Sequence, residues 1–402
     1  MKQNRRAVDF IALRKKRLMW RRTRQMLLII GITLLVLTGV YLSEMILQHN
    51  MTTSINDIIG TFGGEGYPIP LPGGVIRDVK QMGSNVAVLN DTNLYIYSKN
   101  GKQLQNVQRM TDKTILITST NRALAYDYGA RTLSIHSSGR TLHTHEFDET
   151  VLGADLGEGG EYAVVTSPRH YIAKVSAYNR DFAPMMHWYS PDQFVLGVTV
   201  SPRGNMMVVA TVDGEGGVLE SDLYFLRFGQ EQASARIVIG DELVTWLDFH
   251  NENRLAVLTE KSYRLYDQTG TETAIYTLPV ESPLAMFDSN GDRTIFICGT
   301  KEAREFTMIM LDAQGREIAS AKTEGRLIDL ALANRELYVL TDKGILHYNS
   351  SLEQRSVTEV IGAQRIMWSD NRLYCLTADE IGIYEENKQS VAEQRSEAAV
   401  QE

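Results

Sequence analysis

The sequence has little cysteine and little proline, and each shortage excludes a class of structure. Its 402 residues include nine prolines and two cysteines, Cys298 and Cys375. Two thiols so far apart are too few for a zinc cluster or a disulfide framework. Each lies in an apolar run, so we expect both to be buried free thiols, with a disulfide between them as the alternative.

The short motifs of common enzymes are also missing. The chain contains no G-x-S-x-G, S-x-x-K, H-E-x-x-H, P-loop or G-x-G-x-x-G sequence. These motifs mark hydrolases, metalloproteases and nucleotide-binding sites. We therefore predict a protein that is not an enzyme, with no catalytic, cofactor-binding or metal-binding residues.

Net positive charge is concentrated at the N-terminal end of the chain. Residues 1–25 hold ten Lys/Arg and one acid, and the remaining 31 basic and 48 acidic residues give residues 26–402 a net charge of −17. An acidic domain of this kind repels polyphosphate and anionic lipid, which argues against nucleic-acid binding. Protein, peptide and glycan partners stay open.

One long apolar run, residues 26–47, follows the basic segment. It carries no charge before Glu44, and a helix of this length reaches about 33 Å, enough for a hydrocarbon core of roughly 30 Å. The residues directly after it contain no Lys or Arg, so the positive-inside rule puts the N-terminus in the cytoplasm. We predict an uncleaved signal anchor in the cell membrane. A cleaved signal peptide is the alternative, but its apolar region is shorter and ends at a small-x-small site.

The rest of the chain divides into a linker (48–60), a large domain (61–387) and a disordered tail (388–402). In the large domain, apolar residues alternate in short runs between Gly, Asn and Asp clusters, which is a strand pattern. Units of such runs begin every 37 to 49 residues, near Val75, Thr114, Val151, Phe194, Leu243, Leu284, Arg326 and Ala363. Four short strands at this period predict an all-β fold, the β-propeller.

The units predict eight blades, or seven if the unit from Val151 is an insertion. The last unit supplies three strands, while residues 61–74 precede the first full unit without a partner. We expect this segment to complete the last blade, because its prolines confine it to an edge position and an open ring would leave unpaired strands.

Hairpin turns recur at matching places in the units, such as SPRGN at 201–205 and DSNGD at 288–292. These turns resemble those of quinoprotein-like, WD40-like and translocation-associated propellers, and the resemblance implies a propeller over residues 75–385. The tryptophan that quinoproteins carry near the end of each blade is missing, so we expect no bound quinone. The whole layout is similar to uncharacterised bacterial membrane-anchored propeller proteins, a likeness that implies no activity.

Two polar clusters could bind metal. Residues 288–292 look like the start of a calcium loop, but Arg293 and Gly299 occupy the positions that require Gly and Glu, so a hairpin is favoured. His143 and His145 lie two apart on a predicted strand and point to one face, where they could share a metal. Solvated outer-strand histidines are the favoured explanation.

Other residues have a structural and a functional interpretation. Trp246 and Trp368 occur in first strands and could floor a pocket or pack between blades. Asn50, Asn90 and Asn349 begin N-x-S/T triplets, which matter only in a eukaryotic secretory pathway.

Five aspartates lie in or near first strands: Asp78, Asp155, Asp248, Asp288 and Asp329. They favour an alternative function, an extracytoplasmic hydrolase or oxidoreductase with carboxylates near the central channel. The same residues could instead cap hairpins. The main prediction is a membrane-anchored, extracytoplasmic propeller that acts as a non-catalytic scaffold for a protein or other ligand at the outer face of the membrane.

Overall fold

The computed structural model describes most of the large domain and part of the N-terminal segment. The described residues are 20, 25–34, 36, 63–108, 113–214, 217–230, 232–300 and 304–384. The predicted linker (48–60) and tail (388–402), with Asn50, therefore lie outside them. Two compact units are present, Met1–Ile59 and Gly60–Glu402.

The first unit contains a helix. Residues 25–34 are helical, and apolar side chains on them, such as Leu27 and Ile29, are exposed. Within the described residues, no helix has both the length and the apolar content to cross a bilayer. Residues 35 and 37–47 of the predicted anchor lie outside the described part of the chain.

The second unit is a ring of eight four-stranded antiparallel sheets over its described residues. We number the sheets as blades 1 to 8 in chain order of their first strands. The strands of blades 1 to 4 are β2–β5 (Ile76–Met82, Asn85–Asn90, Asn93–Tyr97, Gln103–Gln108), β6–β9 (Thr114–Thr118, Ala123–Asp127, Thr132–His136, Thr141–Glu146), β10–β13 (Thr150–Leu156, Tyr162–Ser167, Ala173–Tyr178, Pro184–Ser190) and β14–β17 (Phe194–Val200, Met206–Asp213, Glu220–Arg227, Ala235–Gly240).

The remaining blades follow the same order. Their strands are β18–β21 (Val244–Asn251, Arg254–Thr259, Ser262–Tyr266, Glu272–Thr277), β22–β25 (Leu284–Ser289, Arg293–Cys298, Glu305–Asp312, Glu317–Glu324), β26–β29 (Leu327–Leu332, Leu337–Thr341, Gly344–Tyr348, Gln354–Thr358), and β30–β32 with β1 (Arg365–Ser369, Arg372–Leu376, Glu380–Tyr384, Ile69–Pro70).

The order of strands in each blade defines two faces of the ring. First strands of neighbouring blades contact one another, as β10 and β14 do, and so line a central channel. We call the lower face the one formed by the turns between first and second strands and between third and fourth strands, such as 201–205 and 267–271. The upper face is formed by the turns between second and third strands and by the connections between blades, such as 168–172 and 191–193.

Burial explains why the strands differ in sequence. Second strands, such as β3, are buried along their whole length because blades cover both of their sides, and they read as continuous apolar runs. Fourth strands, such as β21, expose alternate residues at the rim. Eight apolar clusters lie in the described part of the ring, one between each pair of neighbouring blades. The core is thus a circle of similar interfaces.

The predicted all-β propeller with eight blades is confirmed. Each first strand begins within two residues of the predicted start of its unit. The unit from Val151 is a complete blade, β10–β13, so the seven-blade alternative is wrong.

The expected closure of the ring is also observed. β1 pairs antiparallel with β32, with Ile69 opposite Ile381, and so supplies the outer strand of blade 8. The Leu71 N–H donates to the Asp379 carbonyl at 2.7 Å, and Ile69 is buried between blades 8 and 1. The first strand of the ring therefore holds its last blade.

Both cysteines are buried and free. Cys298 ends β23 in blade 6, and Cys375 lies in β31 in blade 8. The expected free thiols are confirmed, and the disulfide alternative is wrong.

Candidate binding site in the central channel

The channel aspartates occupy two levels that are set by β-bulges. The first strands of six blades contain a register shift near the upper face. Asp78 and Asp329 lie at the bulge itself, whereas Asp155, Asp248 and Asp288 lie two residues beyond it. An inserted residue changes the direction of the side chains that follow it.

Three of the aspartates bind the backbone of the next blade. Asp155 Oδ2 accepts the N–H of Val200 at 2.7 Å. Asp288 Oδ2 accepts the N–H of Leu332 at 2.9 Å, and Asp329 Oδ2 accepts the N–H of Ile366 at 2.9 Å. Each carboxylate thus joins two adjacent first strands and satisfies a backbone donor there. The hairpin-capping explanation is wrong for these three, because they bridge blades.

The other two aspartates are used differently. Asp248 Oδ1 accepts the Thr199 hydroxyl at 3.4 Å, a contact between blades 5 and 4. Asp78 accepts the N–H of its own neighbour, Val79, and lies 3.9 Å from the ammonium group of Lys80.

Burial raises the pKa of all five carboxyl groups. The pKa of Asp248 rises to about 7, because burial and then the charge of Asp155 disfavour its ionised form. Burial raises the pKa of Asp329 to about 6, against the opposing hydrogen bond from Ile366. Protonation of the channel wall therefore changes between mildly acidic and neutral pH.

A cavity of about 910 Å³ opens between blades 1, 6, 7 and 8. Arg77, Lys80 and Arg365 supply positive charge to its wall, and Asp78, Asp288 and Asp329 supply carboxyl groups. Such a wall suits a small polar ligand with both charges. The residues that line it include no histidine or cysteine.

A hydroxyl and imidazole network lies beside this cavity. Ser289 Oγ is 2.9 Å from His250 Nε2 and 2.9 Å from Thr294 Oγ1, and Tyr263 Oη is 3.0 Å from Thr294 Oγ1. Burial lowers the pKa of His250 to about 4. An imidazole with so low a pKa is a weak base, so the Ser289–His250 contact is poorly suited to nucleophilic catalysis.

The paired histidines form part of an aromatic cluster. His143 stacks on Phe182 with ring centres 4.5 Å apart, and His145 stacks on Phe147 at 4.0 Å. Both histidines do point to one face, but that face packs against blade 3. Both lie on the outer strand β9, as expected, and their side chains are half-buried and not fully solvated. Within the described residues, no three His, Cys, Asp or Glu side chains are grouped as metal ligands.

Both tryptophans pack between blades. Trp246 meets Phe287 of blade 6 with ring centres 5.1 Å apart, and Trp368 stacks on Tyr338 of blade 7 at 5.7 Å. Trp368 also borders the cavity. In the loop that resembled a calcium site, Asn290 Oδ1 accepts the N–H groups of Asp292 and Arg293. This is a hairpin turn, as expected.

Comparison with known proteins identifies the family to which the chain belongs. A model of a family of unknown function, DUF5711, matches residues 74–394. The chain belongs to the DUF5711 family. No curated protein matches it. The DUF5711 chain is similar to the solved structure titled "The crystal structure of BamB from Moraxella catarrhalis", with 12% sequence identity, a TM-score of 0.50, and coverage of 80% of this chain and 97% of that chain.

At this identity the likeness shows the fold, an all-β propeller. The expected similarity to uncharacterised propellers is confirmed for the fold and for membership in a family of unknown function. One feature of this DUF5711 member was missed from its sequence, a buried polar network in blade 4. Asp222 is fully buried, and its Oδ2 accepts from Arg236 and from Gln193, each at 2.7 Å. A charged residue inside an apolar strand, ESDLYFLR, was the available hint.

Proposed function

We propose that this protein is a single-pass membrane protein whose propeller, outside the cytoplasm, is a non-catalytic scaffold for protein partners. One observation carries the choice of scaffold over enzyme. Asp155, Asp288 and Asp329 are bonded to backbone N–H groups of neighbouring blades. Carboxylates in this use stabilise the ring and have less freedom to act as acids, bases or metal ligands.

The anchor rests on the N-terminal sequence. Residues 1–25 are strongly basic and residues 26–47 are apolar. The helical residues 25–34 expose apolar side chains such as Leu27 and Ile29, which suits contact with lipid.

The two native cysteines make the topology easy to test, because both are buried. We compare Ser84→Cys, at an exposed turn of the lower face, with Thr23→Cys in the basic segment. In intact cells, a membrane-impermeant maleimide should label the Ser84→Cys variant and leave the Thr23→Cys variant unlabelled. Labelling should become equal after the cells are lysed. The opposite pattern in intact cells would overturn the topology.

The enzyme alternative depends on the channel. If the raised carboxyl pKa values served metal chemistry, a divalent cation would bind there and stabilise the fold. We expect Ca²⁺, Mn²⁺ and Zn²⁺, each tested alone, to leave the melting temperature of the purified protein unchanged. A large shift that Asp329→Asn abolishes would favour the enzyme.

A further inference from the structure

Large exposed apolar residues are unevenly distributed over the two faces of the ring. Among the described residues of the ring, none lies in a lower-face turn and Ile318 lies at the lower end of a strand, whereas these nine lie in upper-face loops or at the upper ends of strands: Val75, Tyr128, Tyr171, Tyr189, Phe194, Val218, Leu219, Val280 and Ile361. Apolar side chains gathered on one face of a protein mark an interaction surface.

Five of the nine belong to blades 3 and 4, and we call them the blade 3–4 patch: Tyr171, Tyr189, Phe194, Val218 and Leu219. Phe194 is 65% exposed although it starts an inner strand. The rings of Tyr171 and Tyr189 lie 4.7 Å apart. The patch therefore has aromatic side chains of the kind that anchor protein interfaces.

The chain beneath the patch is held rigidly. Between Tyr189 and Phe194, Ser190 Oγ donates to the Gln193 carbonyl at 2.6 Å. The Gln193 amide donates to the buried Asp222, and Gln193 Oε1 accepts from Tyr224 Oη at 2.9 Å. Exposure of Phe194 is therefore built into the connection between the blades, and a preorganised surface loses little entropy on binding.

The charges around the patch are mainly negative on blade 4, where Arg236 lies near Glu220, whereas the exposed Arg169 lies in the loop of Tyr171 on blade 3. Asp192 precedes the patch residue Phe194 by two positions, and Glu220 follows Leu219. Asp213 and Glu220 are opposite each other in the β15–β16 register. Two carboxylates directly opposite on a sheet repel each other, and a cation from a partner would relieve that repulsion.

We infer that the upper face at blades 3 and 4 binds a segment of a partner protein that carries apolar side chains together with Lys or Arg. This inference rests on the proposed scaffold function and adds the face and the chemistry of the partner. A second copy of the chain would bring the same carboxylates together, so it is disfavoured as the occupant. The chain's own residues 385–402 carry five acids and two basic residues, so their net negative charge disfavours them as well. Its basic residues 1–25 lie across the membrane in the proposed topology.

The rest of the chain joins the propeller away from this surface. Before β1, the Gly66 N–H donates to the Asn100 carbonyl in a lower-face turn. The last described strand, β32, also runs toward the lower face and ends at Tyr384. The upper face is therefore free of both connections.

Synthetic peptides test the chemistry. Full-length protein in detergent is titrated with three short fluorescent peptides, which alternate Leu with Arg, Leu with Glu, or Ser with Arg, at physiological ionic strength. We expect anisotropy to rise with the Leu–Arg peptide and to stay flat with the other two. Equal binding of all three, or binding of the Leu–Glu peptide, would overturn the inferred chemistry.

Matched variants locate the binding. The Phe194→Ala/Leu219→Ala double variant and the Glu220→Lys variant should each lower the affinity for the Leu–Arg peptide by about tenfold. Ile318→Ala at the rim and Asp292→Lys on the lower face should leave affinity unchanged. All five substituted residues are exposed, and unchanged melting temperatures would show that folding is intact. Equal losses in patch and control variants would refute the site.

A crosslinking experiment in cells separates this inference from the scaffold function. Benzoylphenylalanine replaces Phe194 in one variant and Ile318 in another, and the crosslinked peptides are sequenced. We expect adducts at position 194 whose partner peptides hold Lys or Arg beside apolar residues, and their loss when Glu220→Lys is added. Partner adducts at 318 alone would refute the upper face but leave the scaffold standing. Adducts to a second copy or to the chain's own tail would refute the inferred partner protein. If neither position gives adducts and the protein turns over a substrate, the proposed scaffold function would be refuted.

Discussion

Asp155, Asp288 and Asp329 each receive a backbone N–H from the next blade, so these side chains act as links around the channel. Val200, the donor to Asp155, is itself buried. A buried N–H that loses its acceptor carries the full cost of its lost hydration. The channel wall is therefore sensitive to the loss of an oxygen atom more than to the loss of a charge.

The substitution Asp155→Ala should lower the free energy of unfolding by about 1–3 kcal/mol, because it leaves the Val200 N–H without a partner. Asp155→Asn should retain most of the stability, since the amide keeps an oxygen acceptor. Asp78→Ala is the matched control, as Asp78 bonds to its own neighbour, Val79. Urea unfolding measures all three variants, and equal losses for Asp155→Ala and Asp78→Ala would contradict the bridging role.

The raised pKa of Asp248 predicts how the stability of the protein depends on pH. Its pKa is about 7 in the folded protein and near the ordinary value of 3.8 when unfolded. Between these values the folded state binds more protons, so this residue makes stability fall as pH rises from about 4 to about 7. Asp248→Asn should therefore melt several degrees higher than the natural protein at pH 8 and equally at pH 4. Asp292→Asn, in an exposed turn, should show no such difference, and a parallel pH profile for the Asp248→Asn variant would contradict the prediction.

Sequence placed all five aspartates in first strands but could not assign their bonds. Asp78 and Asp329 occupy the same position at a bulge, yet only Asp329 bonds to the next blade, so the bonds depend on how neighbouring blades pack. The histidines show the same limit, because alternation put His143 and His145 on one face. What that face meets, the ring of Phe182 on another blade, is a long-range contact.

Among the single elements, β1 has only two residues but supplies the strand that completes blade 8. Ile69 fills a site between blades 8 and 1, beside Tyr374 and Ile381. Ile69→Ala should lower the free energy of unfolding by about 2–4 kcal/mol through the cavity it leaves. Ile318→Ala, the same change at an exposed rim position, should cost less than about 0.5 kcal/mol. Thermal melts of the two variants test the difference, and equal melting temperatures would show that β1 does not hold the ring.

Strands and blades were predictable because each blade repeats the same pattern of buried and exposed strands. A second strand covered on both sides must be apolar along its middle, as β3 and β19 are, and tight turns must supply Gly or Asn. The closing strand could be inferred by counting, since three strands at one end require a fourth from elsewhere. The polar link from Gln193 to Asp222 could not, because its partners are 29 residues apart.

The propeller should fold as an independent body. All eight apolar clusters lie within Gly60–Glu402, a compact unit by itself. A chain that begins at Gly60 should give a β-type circular dichroism spectrum and one cooperative melt. A mainly helical spectrum, or several separate transitions, would contradict the continuous ring.

Ring closure by β1 imposes an order on biosynthesis. Ile69 is among the first propeller residues to be made and Ile381 among the last, 312 positions later. Until ribosomes finish blade 8, the opening strand has no mate and both ends of the growing sheet array stay exposed. A nascent propeller of this design must be shielded from neighbouring chains until its final blade emerges, and a stop codon anywhere before residue 380 would leave a permanently open, aggregation-prone arc.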